Sequence, residues 1–175
     1  MSTGLEVKAH VEAGRLRELA PRSGGSRYRV VALEPSVAAA FTGPWPPGSD
    51  DERIMPRFKQ QLDNFILNRP VAATFRKEPP VELRRLQAIR GVRSRTVWEF
   101  RYTPSGRPSD HLRLFGCFAE VNYFVGFSLQ GRAGLDFDSE IRKTHSAWRT
   151  LFPDAHPVAT ENIHDYVSMP VTFFG

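Results

Sequence analysis

Cysteine is all but missing: Cys117 is the single one among 175 residues, which excludes an internal disulfide and any cysteine-based zinc site. It sits in an apolar strand pattern and reads as a core residue. Long apolar runs are missing too. The longest stretch, Phe115 to Leu129, is interrupted by Glu120 and Asn122, so it cannot serve as a membrane span. The first residues, MSTGLEVKAHVEAGRLREL, hold no unbroken apolar segment of the kind a secretion signal needs. A cytoplasmic protein with no membrane partner is expected. The five histidines, His10, His111, His145, His156 and His164, show no H-x₃-H type of spacing, so no metal is expected. Phosphate-loop, dinucleotide and nucleophile-elbow patterns are absent, so no cofactor is expected either.

Carboxylates are scarce where arginines are dense. Between Arg84 and Arg113 stand eight arginines, Arg84, Arg85, Arg90, Arg93, Arg95, Arg101, Arg107 and Arg113, against Glu99 and Asp110. Net charge is +5 and the isoelectric point is about 9.8. Aromatic and aliphatic residues (Trp98, Phe100, Tyr102, Leu112, Leu114, Phe118) are threaded through this segment. It is therefore no solvated basic tail but part of a folded sheet, and a basic face on a sheet suits a polyanion such as RNA.

The periodicities define the elements. Residues 5–20 hold a weak helical pattern with Gly14 inside it. Tyr28 to Leu33 reads as a strand, and GPWPPGSDD from Gly43 to Asp51 as irregular chain. Ile54, Phe58, Leu62, Phe65 and Ile66 make a one-faced helix that stops near Asn68. Asp50 or Asp51 is expected to cap it, and Pro56 to lie in its first turn. Val81 to Ile89 fits a short helix or a lead-in to the sheet. Thr96–Tyr102, His111–Ala119 and Tyr123–Leu129 form an antiparallel meander. A second helix is expected from about Asp138 to Leu151, capped by Asp138 or Ser139 and ended by Pro153.

In their order and spacing, the short lead-in Leu86 to Gly91, the strand Trp98-Glu99-Phe100-Arg101, the strand Leu112-Arg113-Leu114, the apolar Phe124 to Phe127 and the helix centre Ala147-Trp148-Arg149 resemble the RelE/HigB-like toxins of bacterial toxin–antitoxin systems. The Lys-Lys pair usual in that family reads Gln130-Gly131-Arg132 here. The resemblance implies an α+β fold with an antiparallel sheet of about four strands packed with two or three helices. It frames residues 27–153 as the RelE-like domain, with 1–26 and 154–175 as extensions.

It further implies a metal-independent endoribonuclease that cuts mRNA on the ribosome through attack by a ribose 2′-OH, held in check by an antitoxin protein. In that reaction arginine stabilises charge on phosphorus but is a poor proton shuttle. The candidate catalytic residues are Arg113, Arg101 and His145; Arg93, Arg95, Arg132 and Tyr123 are candidate RNA contacts. Arg113 has a structural alternative, a strand arginine paired with Glu99. Arg101 and Arg113 share a face only if the register pairs residues whose numbers sum to an even value. Two other readings stand beside the nuclease: a non-catalytic RNA-binding module, and a gyrase-inhibiting relative that engages a protein.

Overall fold

A computed structural model describes residues 2–76, 81–86, 96–104 and 107–174. In chain order its elements are α1 (Thr3–Glu12), β1 (Arg17–Glu18), β2 (Val30–Leu33), α2 (Pro35–Thr42), α3 (Asp50–Ile66), β3 (Val71–Thr74), β4 (Leu83–Arg85), β5 (Val97–Tyr102), β6 (Leu112–Glu120), β7 (Tyr123–Gly131), α4 (Phe137–Leu151) and β8 (Val171–Phe174). The meander β5–β6–β7 is antiparallel, as its short connections require.

The expected four-stranded antiparallel sheet is wrong. The strands form one eight-stranded mixed sheet in the order β1-β2-β7-β6-β5-β4-β3-β8. β2 runs parallel to β7, and β3 runs parallel to both β4 and β8. The parallel pairs β2–β7 and β3–β8 join segments far apart in the chain and carry no local turn signal, so four-residue segments such as Val71–Thr74 leave little trace in the sequence. Residues 1–26 supply α1 and β1, and the C-terminal segment supplies β8 to the sheet edge.

Strand alternation divides the core in two. Trp98, Phe100, Leu114, Phe118 and Phe124 point to the side covered by α2 and α3, where they meet Phe41, Phe58, Leu62 and Phe65. Val97, Phe115, Cys117 and Val125 point the other way, against Val7 of α1 and Ile141, Trp148 and Phe152 of α4 and its end. β2 feeds both cores, with Val31 and Leu33 on one side and Ala32 on the other. That is the signature of an interior strand.

Local signals set the helix ends, with corrections. The Ser49 hydroxyl, rather than Asp50 or Asp51, accepts from the Glu52 N–H and caps α3. Asp50, Asp51 and Glu52 fill the first turn, where the helix dipole favours them. Pro56 therefore lies inside the helix and not in its first turn. α4 is capped by Asp136, whose carboxylate accepts from the N–H groups of Asp138 and Ser139.

One buried cation ties the C-terminal segment down. Arg29 is 0% exposed. Its guanidinium donates to the carbonyls of Phe65 and Arg69 (3.3 and 3.2 Å) and of Ser168 and Pro170 (2.9 and 3.2 Å). Burial pushes its pKa down to about 10. The Asn122 amide donates to Ser168 Oγ at 2.9 Å, and the Ser168 N–H donates back at 2.9 Å. These contacts deliver the chain to β8.

Candidate anion site on the sheet

The pairings β5–β6 and β6–β7 place Arg101 opposite Arg113 and Arg113 opposite Gln130. The numbers 101 and 113 sum to an even value, so the two arginines share a face. It is the α4 face, because Leu112 and Leu114 pack with the opposite core. Arg84 lies opposite Glu99 across β4–β5 and joins them. Three guanidiniums thus converge on one carboxylate. Arg84 Nη2, Arg113 Nε and Arg101 Nε lie 2.6, 3.3 and 3.7 Å from Glu99 oxygens.

The fourth cation comes from the turn after β7. Its position is fixed by the Arg132 N–H, which donates to the His111 carbonyl at 2.8 Å. Arg132 and Arg84 both lie over the Phe137 ring at the start of α4, at 5.2 and 5.8 Å from its centroid. Beyond Phe137, Glu140 accepts from Ser128 Oγ (2.7 Å) and from Lys143 Nζ (2.6 Å). That carboxylate is thereby engaged away from the arginines.

The charge does not balance. Among the described residues, Arg84 and Arg113 share the one Glu99 carboxylate, so even with Glu99 ionised this pair of guanidiniums carries one charge more than it balances. Burial drives the Glu99 carboxyl above its ordinary range, while Arg84, Arg113 and Arg101 draw it back down; the net direction is upward. A raised carboxyl enlarges the surplus. Arg113, 3% exposed, is pushed down to about 10 by burial and still carries its charge at neutral pH. Its Nη1 donates to the Leu112 and Tyr102 carbonyls. The Nε–H groups of Arg84 and Arg113 find no well-aligned acceptor among the described residues. Buried cationic donors with incomplete partners favour an incoming anion.

The candidates therefore separate. Arg101, Arg113 and Arg132 belong to this cluster; the pairing of Arg113 with Glu99 is real and is part of the site. The basic face is not an open surface at this point, since Arg113 is almost wholly enclosed. His145 lies eight residues after Phe137, ~12 Å along α4 at the helical rise, so it does not meet the cluster. Burial, and then Arg149, lower its pKa. Tyr123 pairs with Glu120 at the far end of β7, ~23 Å from Gln130 at the strand rise; it flanks the apolar core instead. Arg93 and Arg95 lie outside the described residues. Burial pushes the Cys117 thiol up, which keeps it protonated in the core.

Arg84 and Glu82 are residues that sequence reasoning passed over. Their signal was the pairing itself. Arg101 N–H donates to the Glu82 carbonyl at 2.7 Å, so the β4–β5 register sets Glu82 beside Arg101 and Arg84 beside Glu99. The Ala72 N–H donates to the Glu82 carboxylate. The Glu82 side chain keeps solvent access, yet the atoms around it hold its carboxyl above the usual range.

Comparison with family models, curated proteins and solved structures finds no match for this chain. Among the described residues no helix is long and apolar enough to cross a membrane, and no group of three metal-ligating side chains comes together.

Proposed function

We propose that this protein binds a phosphate-bearing ligand through Arg84, Arg101, Arg113 and Arg132. The observation that carries this reading is that Arg84 and Arg113 share the single Glu99 carboxylate, with their Nε–H donors left incompletely partnered among the described residues. A planar guanidinium matches two phosphate oxygens at once. Enclosure strengthens such a contact by excluding water. It also favours a terminal phosphate over the continuous backbone of a long strand, because Arg113 is only 3% exposed.

Of the readings drawn from the sequence, the non-catalytic, RNA-binding form fits this site best. Metal-free cleavage requires proton carriers beside the arginines, and His145 stands two helical turns away. The test is stability against added anions at constant ionic strength. Pyrophosphate at a hundredfold excess over its dissociation constant should stabilise the fold by about 2.7 kcal/mol, raising the melting temperature by about 5–11 °C for a chain of this size. Arg101→Gln and Arg132→Gln should each reduce that shift. A melting curve indifferent to phosphate, pyrophosphate and sulfate would sink the proposal.

A further inference from the structure

The first helix, α1, is fastened at both ends. At its start the Glu120 carboxylate, at the end of β6, accepts from the Ser2 hydroxyl at 2.5 Å and from the Gly4 N–H at 3.1 Å. Between the ends the helix buries Gly4 and Val7 out of ten residues. That is a thin apolar anchor, which puts α1 among the parts of the molecule that open most readily. In its last turn stands His10. The His10 ring meets Phe152, at the end of α4, edge to face with centroids 4.8 Å apart. Beyond the helix Gly14 takes a positive φ of 72°. The His10 carbonyl accepts from the N–H groups of Arg15 and Leu16 at 2.9 and 3.1 Å. The chain is thereby turned back on the helix, and Arg15 reaches the ring. Its Nε–H donates to His10 Nδ1 at 2.7 Å. The ring is also hydrogen-bonded to the Leu151 carbonyl of α4.

These partners fix the protonation state of the ring. An imidazole nitrogen that accepts must carry a lone pair, and one that faces a carbonyl must carry the proton. Only neutral His10, protonated at Nε2, meets both demands. A proton added at Nδ1 removes the acceptor for Arg15 and sets two cations against each other. We propose that His10 is an acid-sensitive latch on α1: neutral, it ties the helix and the returning chain to the end of α4; protonated, it lets the helix come away while the sheet stays folded. The surroundings give the direction. Burial and then Arg15 hold the His10 pKa below its ordinary value, against the Leu151 carbonyl and Glu6, one turn back on α1. From α4 the Leu151 carbonyl and the Phe152 ring face it, and neither titrates. From β6 the carboxylate that touches α1 is Glu120, which holds Gly4, ~9 Å from His10 along the helix. A folded-state value below 6.5 means that the released helix binds more protons than the docked one. Docking is therefore strongest above pH 6.5 and is lost as pH falls. None of Arg84, Arg101, Arg113 and Arg132 takes part, so the latch stands or falls independently of anion binding.

Amide exchange of the full chain, read as protection factors at pH 7.5 and at pH 5, tests the latch. Protection in α1 should fall about fivefold on acidification, the worth of one hydrogen bond, while β5 and β6 keep theirs. The His10 ring protons, followed by NMR, should titrate over the same interval. Gln offers both an acceptor and a donor and does not titrate, so His10→Gln should hold α1 with equal protection at both pH values. Arg15→Met removes the cation that opposes the proton. It should leave α1 less protected at pH 7.5, shrink the loss in acid and move the ring titration to higher pH. Circular dichroism checks that both variants fold; should His10→Gln fail, the ring titration and Arg15→Met still decide. Three results overturn the proposal. The first is α1 protection that does not change with pH. The second is a loss in α1 that His10→Gln retains, which assigns it to Glu6 or Glu120. The third is a loss shared equally by β6, which makes the event global unfolding.

Discussion

Replacing Arg29 with Met tests whether a single buried cation holds the last strand on the sheet. Met keeps much of the apolar stem and removes the guanidinium. Four carbonyls lose their donor: Phe65 and Arg69 at the end of α3, Ser168 and Pro170 just before β8. A hydrogen bond from a charged donor contributes about 1.5–3 kcal/mol. Three of the four are longer than 3.1 Å, so the lower figure applies, giving about 6 kcal/mol in all. Opposing this is the cost of burying the charge. Its depression to about 10 corresponds to about 3 kcal/mol. Arg29→Met should therefore destabilise the protein by about 3 kcal/mol, lowering the melting temperature by about 6–12 °C. Urea denaturation measures the first figure and a thermal scan the second. The loss should also be localised: amide exchange in Val171–Phe174 should accelerate more than in β5 or β6. A variant within about 1 kcal/mol of the parent, with exchange in β8 unchanged, would refute the reasoning.

Other consequences follow from the same geometry. A bound anion repels the ionised Glu99 carboxylate and raises its already elevated pKa further, so binding takes up a proton and affinity should rise as pH falls. Glu99→Gln should bind pyrophosphate about tenfold tighter at pH 8 and lose that pH dependence; titration in buffers of different ionisation enthalpy reads the proton directly. His145 has a folded-state value below 6.5, so the unfolded chain binds more protons in mild acid. Its contribution is present above pH 6.5 and lost as pH falls, and His145→Gln should flatten that part of the stability profile measured by urea titration between pH 7.5 and 5. Gly116 leaves no room for a side chain, since a Cβ there meets the Val125 carbonyl oxygen at 2.1 Å and the Phe124 ring at 2.5 Å. Gly116→Ala should cost about 1–3 kcal/mol, seen as a lower urea midpoint with an unchanged slope.

The parts of the fold readable from sequence are those whose signals are local. Ile54, Phe58, Leu62, Phe65 and Ile66 announce α3 by spacing alone, and all five are buried. The meander is legible because β5, β6 and β7 alternate cleanly and follow one another closely. The sheet's full width is not legible. Val30–Leu33, Val71–Thr74 and Val171–Phe174 are short, and their parallel partners lie far away in the chain. No turn residue advertises such a pairing. The expectation of about four antiparallel strands erred for this reason, extrapolating from the local meander to the whole sheet. For the site, the arginine density pointed to the right strands. It could not show that Arg84 meets Arg101 and Arg113 over Glu99, because that depends on the register of β4, which neither hydrophobic pattern nor loop length fixes. His145 and Tyr123 were chosen for their chemistry without any measure of distance, and they fall elsewhere.

The crossing of polar rows and apolar rows on one sheet face also guards assembly. Should β6 slide by a single residue against β5, Arg113 would turn toward the Phe65 side and Leu114 would face the Glu99 carboxylate. A guanidinium among phenyl rings and a carboxylate beside leucine are both severe penalties. Misaligned strands are thus rejected at the spot where recognition is proposed to occur, so the same charges would serve as a proofreading device during folding and as a ligand contact after it.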